Sequence, residues 1–140
     1  MERLSINRDK SKSKLELSRI IYGMWRLADD NNREVSHVQA KVEACLAQGI
    51  TSFDQADIYG NYESERLFGL LLKEAPHLRD KMEIITKCDI KLLTDKSPEW
   101  VVKYYDTSAT HITQSVDNSL NLMNIDHIDM LLLHRPDPLM

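Results

Sequence analysis

The chain has 140 residues, 42% of them apolar and 29% charged, with a formal net charge of −4. That is enough for one domain with a real core, and the interspersed charges leave no electrostatic footprint for nucleic acid. Wholly apolar runs reach at most four residues, far short of a membrane span, and the first ten residues lack the hydrophobic stretch of a secretory signal.

Residues 1–16 are polar and basic (Arg8, Lys10, Lys12, Lys14) and are expected to form an irregular lead-in or a small hairpin before a domain over 17–140. Ile20-Ile21-Tyr22-Gly23 is a β-branched and aromatic run closed by glycine, the signature of a first strand. Asp29-Asp30-Asn31-Asn32 is turn chemistry. Ser36 is placed to cap a helix, with Gln39 three positions on. Val38, Val42, Cys45 and Leu46 give that helix one apolar stripe, and Gly49 ends it.

Ile50 to Asp54 is a second apolar strand, ending in a carboxylate, with Tyr59 and Gly60 shortly after. Asn61 or Ser64 opens a second helix in which Leu67, Phe68 and Leu71 face inward, and Pro76 stops it. Glu83 to Lys87 is a third strand. Residues 89–106 read as a long polar connection containing Pro98 and Trp100. Ser108 opens a third helix, with Ile112, Val116, Leu120 and Met123 on its core side. Ile128 to Leu133 is the fourth strand, followed by a loop from His134.

The order β-α-β-α-β-α-β implies a parallel sheet. An ionisable group at the end of a buried strand must be paired or point into a site, and in parallel α/β folds the carboxyl ends of strands are where sites form. Three strands here deliver Asp54 with Tyr59, Lys87, and His134 to that rim. Taken singly, Asp54 reads as a turn cap, Tyr59 as a packed loop aromatic, Lys87 as a solvated strand end and His134 as a core histidine. Asp57 reads as a turn stabiliser, and His37, His77, His111 and His127 as surface residues. Cys45 and Cys88 have no metal-ligand spacing and read as reduced thiols of a cytoplasmic protein, although Cys88 adjoins Lys87 and a neighbouring cation favours a thiolate.

Taken together, Asp54-x-Ala56-x-x-Tyr59-Gly60, Thr86-Lys87 and Leu133-His134-Arg135 resemble the aldo/keto reductases, and Gly23-x-Trp25-Arg26 resembles their bacterial oxidoreductase branch. The resemblance runs from about Arg19 onward. It implies a catalytic set of Asp54, Tyr59, Lys87 and His134, cofactor contacts from Gly23, Met24 and Asp54, and Trp25 beside the substrate pocket. It also implies NADP(H) as cofactor, with NAD less favoured, a small carbonyl substrate, and no metal, nucleic acid or membrane partner. Tyr59 would be the general acid. A free phenol has a pKa of about 10, and an ammonium close by favours the phenolate, which would be the use of Lys87. Asp54 would hold Lys87, and His134 would orient the carbonyl.

That family folds as a (β/α)8 barrel, which needs about 250 residues. The expectation is therefore an α/β chain equal to the amino-terminal half of a barrel, with four parallel strands and three helices, truncated after the fourth strand, inactive alone and prone to self-association. Two rival readings stand beside it. One is a metal-assisted hydrolase with Asp54, Asp57 and His134 as ligands. The other is a non-catalytic relic or assembly partner.

Overall fold

Short β-rich runs and amphipathic stripes alternate along the chain, and the computed structural model, which describes residues 2–6 and 14–135, turns that alternation into one layered unit. The lead-in residues Arg8, Lys10 and Lys12 and the loop beyond Arg135 lie outside the described residues. Strands β1 (Arg3–Ile6) and β2 (Leu15–Ser18) form an antiparallel pair. There follow β3 (Ile21–Gly23), α1 (Val35–Ala47), β4 (Ser52–Asp54), α2 (Ser64–Glu74), β5 (Glu83–Cys88), β6 (Ile90–Lys91), β7 (Tyr104–Tyr105), α3 (Ala109–Met123) and β8 (Met130–Leu133). The main sheet has the order β3-β4-β5-β8 and is parallel throughout.

The core lies between this sheet and the helices. Phe53 of β4 is fully buried, meets Tyr22 edge-on and packs on Phe68 of α2, with ring centroids 6.1 Å apart in both pairs. Val38, Val42 and Cys45 of α1 and Leu67, Phe68 and Leu71 of α2 are buried as their spacing implies. Gly49 ends α1 with φ of 76°, and Ile50 N bonds back to Cys45 O.

The antiparallel pair sits at the amino ends of the parallel strands. Arg3 donates to Thr51 Oγ1 (2.8 Å) and Glu83 Oε1 (2.6 Å), and Ser18 Oγ accepts from both Thr51 N and Ser52 N. The far rim of the sheet is thereby covered, and the carboxyl rim carries the loops.

Four expectations change. Ser36 lies inside the first turn of α1, because Asn32 takes over the entry: its Oδ1 accepts from Glu34 N and the helix begins at Val35. Neither Asn61 nor Ser64 caps α2 through its side chain. Gly60, Asn61 and Tyr62 all have positive φ and swing the chain into the helix, while Ser64 Oγ donates to Met24 O. The polar connection is not wholly irregular, since β6 and β7 pair within it. Finally, α3 turns its His111-Ser115-Ser119-Met123 row inward and leaves Ile112, Val116 and Leu120 half-buried. The reason is polar: Ser119 Oγ donates to Glu65 Oε2 (2.9 Å), and Thr86 Oγ1 donates to Glu65 Oε1 (2.6 Å). Ser108 does cap α3, accepting from His111 N.

Candidate active site

At the carboxyl rim, β4 ends on Asp54, the loop after it carries Tyr59, β5 brings Lys87, and His134 follows β8 directly. Parallel register aligns these ends, with Asp54 opposite both Gly23 and Ile85, and Lys87 opposite Leu132. The Lys87 ammonium lies 2.7 Å from each oxygen of Asp54, 2.9 Å from the Tyr59 hydroxyl and 2.9 Å from Gln55 O. The Tyr59 hydroxyl donates to Asp54 Oδ2 at 3.3 Å. A strand-end carboxylate, an ammonium and a phenol thus converge on one point, half-buried and mutually hydrogen-bonded.

His134 closes the set. Its ring stands edge-on to Tyr59, centroids 5.8 Å apart, and its backbone N donates to Cys88 O. Burial and the Lys87 cation push the imidazole below its ordinary value, with Asp89 acting in the opposite sense. Burial and that cation both favour the neutral imidazole. Its Nδ1 is buried with no hydrogen-bond partner among the described residues, and the residue lines the cleft beside Tyr59.

Tyr59, His134 and Trp25 border one open cleft of about 640 Å³, with Ile58 and Leu92 as apolar wall and Arg33, Lys103 and Arg135 around it. Trp25 is 59% exposed and its ring lies under the Arg26 guanidinium at 4.8 Å. Gly23 stands at the end of β3, where a Cβ would meet nothing within 4 Å. A cofactor ring at this end of β3 would meet the Gly23 backbone with no Cβ in its way. Met24 is 2% exposed and packs in the core; its N donates to Asp54 O, its O accepts from Leu27 N and Ser64 Oγ, and with Gly23 it borders a separate cavity beside Arg26 and Asp30.

The residues just behind the site diverge most from their sequence readings. Cys88 is buried, and burial together with Asp57, Asp89 and Glu65 pushes its thiol up to about 11, the reverse of activation by Lys87. His111 is buried rather than on the surface, with its ring 3.3 Å from Ser115 Oγ, and burial pushes it down. Asp57 stabilises its turn by accepting from Ile58 N at 2.7 Å. It faces a second cavity shared with Tyr62 and His111, not the cleft of Tyr59 and His134. Asp54, Asp57 and His134 therefore do not converge as a ligand set, and among the described residues no group of three or more potential metal ligands clusters. Nothing in the pattern marked Arg33 or Lys103, which stand in polar loops without periodicity.

Known proteins resemble this chain in sequence and in fold. The model of the aldo/keto reductase family matches residues 19–140. The chain is 56% identical over 139 residues to 6-dehydroglucose reductase of Agrobacterium fabrum, covering 99% of itself and 45% of that protein. It is 46% identical over 125 residues to the oxidoreductase YdhF of Escherichia coli, covering 89% of itself and 41% of that protein. The chain thus spans less than half the length of the curated relatives it matches. Glycerol dehydrogenase AKR11B4 of Gluconobacter oxydans superposes with a TM-score of 0.73 at 24% identity, over 97% of this chain and 40% of that one. Aldo-keto reductase AKR11C1 of Bacillus halodurans superposes at 0.71 and 22%, over 95% and 40%. Those are (β/α)8 barrels, and four parallel strands with three helices form half of one. By its family match and its identity to these relatives, the chain belongs to the aldo/keto reductase family.

Proposed function

We propose that this chain carries the proton-transfer half of an NADP(H)-dependent carbonyl reduction, converting small aldehydes or ketones to alcohols. One observation supports it above the rest: Lys87 Nζ is within hydrogen-bond reach of Asp54 and the Tyr59 hydroxyl at once, with His134 edge-on to the same phenol. A bound nicotinamide would supply hydride to the carbonyl carbon. Tyr59 would give its hydroxyl proton to the carbonyl oxygen, and the phenolate left behind would lie 2.9 Å from the Lys87 cation. Asp54 neutralises and orients that cation. Neutral His134 would donate from Nε2 to the carbonyl oxygen and hold it toward Tyr59. In the reverse direction phenolate and cation would accept an alcohol proton.

Among the described residues no helix is long and apolar enough to cross a membrane. Two buried, unbridged cysteines suit a reducing compartment, and we place the protein in the cytoplasm.

The test is complementation. The 140-residue chain is mixed with the remaining part of the Agrobacterium relative as a separate polypeptide, and consumption of NADPH, then NADH, is followed with a small aldehyde. Turnover favouring NADPH is expected, with Tyr59→Phe lowering kcat by about 10²- to 10⁴-fold. Full activity in Tyr59→Phe would sink the assignment.

A further inference from the structure

Asp89 follows Cys88 at the end of β5 with φ of 115°, a conformation that residues other than glycine rarely adopt. It is completely buried. Backbone and side chain part company at this residue. The backbone leaves the main sheet, and Asp89 O accepts from Asp106 N (2.7 Å) beside the β6–β7 pair. The side chain stays behind, and its Oδ2 accepts from Arg135 N at 3.0 Å. The last registered pair of the β5–β8 ladder is Cys88 with Leu133, and the next bond runs from His134 N to Cys88 O. The Asp89 carboxylate therefore stands where a backbone carbonyl would have held the end of β8, had β5 continued straight.

An amide oxygen could fill that place as well. A carboxylate is the costlier occupant, because its other oxygen, Oδ1, is buried with no hydrogen-bond partner among the described residues. What the charge adds is a field on the imidazole. The groups acting on His134 are Lys87 on β5, Asp54 at the end of β4, its neighbour Arg135, and Asp89. Lys87 and Arg135 oppose the imidazolium, and Asp89 and Asp54 favour it.

We propose that Asp89 is a positioning residue for His134: its strained backbone returns the carboxylate to the end of β8, clamps the Arg135 N–H, and so fixes the imidazole against Tyr59. This rests on the reading of His134 as the group that orients the carbonyl.

The whole 140-residue chain, isotope-labelled, tests it by NMR in three variants. Asp89→Ala removes acceptor and charge, and the Arg135 amide should exchange about tenfold faster or more, as for loss of a charge-assisted bond. Asp89→Asn keeps an acceptor, so exchange should stay within about threefold. Its His134 ring should nonetheless titrate at lower pH than in the parent, since an anion favouring the imidazolium is gone. A purely structural Asp89 would leave that titration unmoved. Asp89→Gly relieves the strained φ and removes the acceptor, so it should fold at least as well as Asp89→Ala and show the same fast Arg135 exchange. It carries the test if Asp89→Ala does not fold. Unchanged Arg135 protection in Asp89→Gly, or an unmoved His134 titration in Asp89→Asn, would overturn the proposal. None of these readouts involves turnover. The catalytic reading fails separately, if His134→Gln retains full activity in the complementation assay.

Discussion

Asp57 lies between Asp54 and Tyr59, buried, with only the Ile58 N–H donating to it among the described groups. Burial first, then the Glu65 carboxylate, push its carboxyl up to about 7, with Asp89 adding to the shift and the Ile58 bond and Lys91 opposing it. In the unfolded chain the same group titrates near 3.9. A raised carboxyl is almost fully protonated in both states below about 3, so it contributes nothing unfavourable there. As pH rises from about 4 through about 7, the unfolded chain releases this proton first, and the folded state loses stability over that window. The difference between about 7 and 3.9 corresponds to roughly 4 kcal/mol at full ionisation. Local relaxation and entry of water lower the realised figure to roughly 2 kcal/mol. Asp57→Asn keeps an oxygen for Ile58 N and carries no charge. It should match the parent at about pH 3 and exceed it in stability by roughly 2 kcal/mol at pH 8. Urea unfolding at a series of pH values reads this directly. His111 and His134, both pushed down, titrate in both proteins, so the difference between the curves reports Asp57 together with its coupling to Glu65. Parallel curves from pH 4 to 8, or an Asn variant weaker at pH 8, would refute the reasoning.

Three further outcomes follow from the same coordinates. Gly69→Ala would place a Cβ 1.9 Å from Leu122 O and 2.7 Å from Met123 Cα, both backbone atoms of α3. The helix-propensity gain of about 1 kcal/mol is outweighed by overpacking, and a net loss of roughly 2 kcal/mol is expected in thermal unfolding. Lys87→Met leaves Asp54 without its cation, and a double-mutant cycle with Asp54→Asn should return a coupling of about 1 to 3 kcal/mol; a value under about 0.3 would mean the pair is merely adjacent. The outer edges of β3 and β8 pair with no other strand among the described residues, and Ile21, Leu132 and Leu133 are exposed there. Sedimentation should therefore show concentration-dependent self-association, and a monomer at high concentration would count against it.

The parts of the fold written in local chemistry were legible beforehand. Val38, Val42 and Cys45 repeat at helical spacing, Gly49 supplies a left-handed stop, and β-branched runs end in polar groups. The convergence of Asp54, Lys87 and His134 was legible because parallel strands in register bring their ends together, whereas Tyr59 rides on a loop and was legible only through the resemblance. What escaped was tertiary. The α3 face is chosen by Glu65, whose two oxygens need hydroxyl donors, and that outweighs the apolar row of Ile112, Val116 and Leu120. His111 is buried for the same reason. Asn32 outcompetes Ser36 because its Asx turn starts the helix two residues earlier than the cap that spacing alone favours. The burial of Met24 escaped because nothing local tells that the loop after Gly23 folds inward.

The polar seam between α2 and α3 has an implication for how this layer tolerates change. Methyl groups slide over one another with little penalty, whereas hydroxyls aimed at a single carboxylate do not. A one-turn slip of α3 would carry Ser119 away from Glu65 and bring bulkier backbone surroundings out of the notch at Gly69. Two unlike locks, one of hydrogen bonding and one of shape, must both be broken before the helix can move. Drift in this layer should thus show up as paired substitutions at 65 and 119, while the apolar residues around them vary singly.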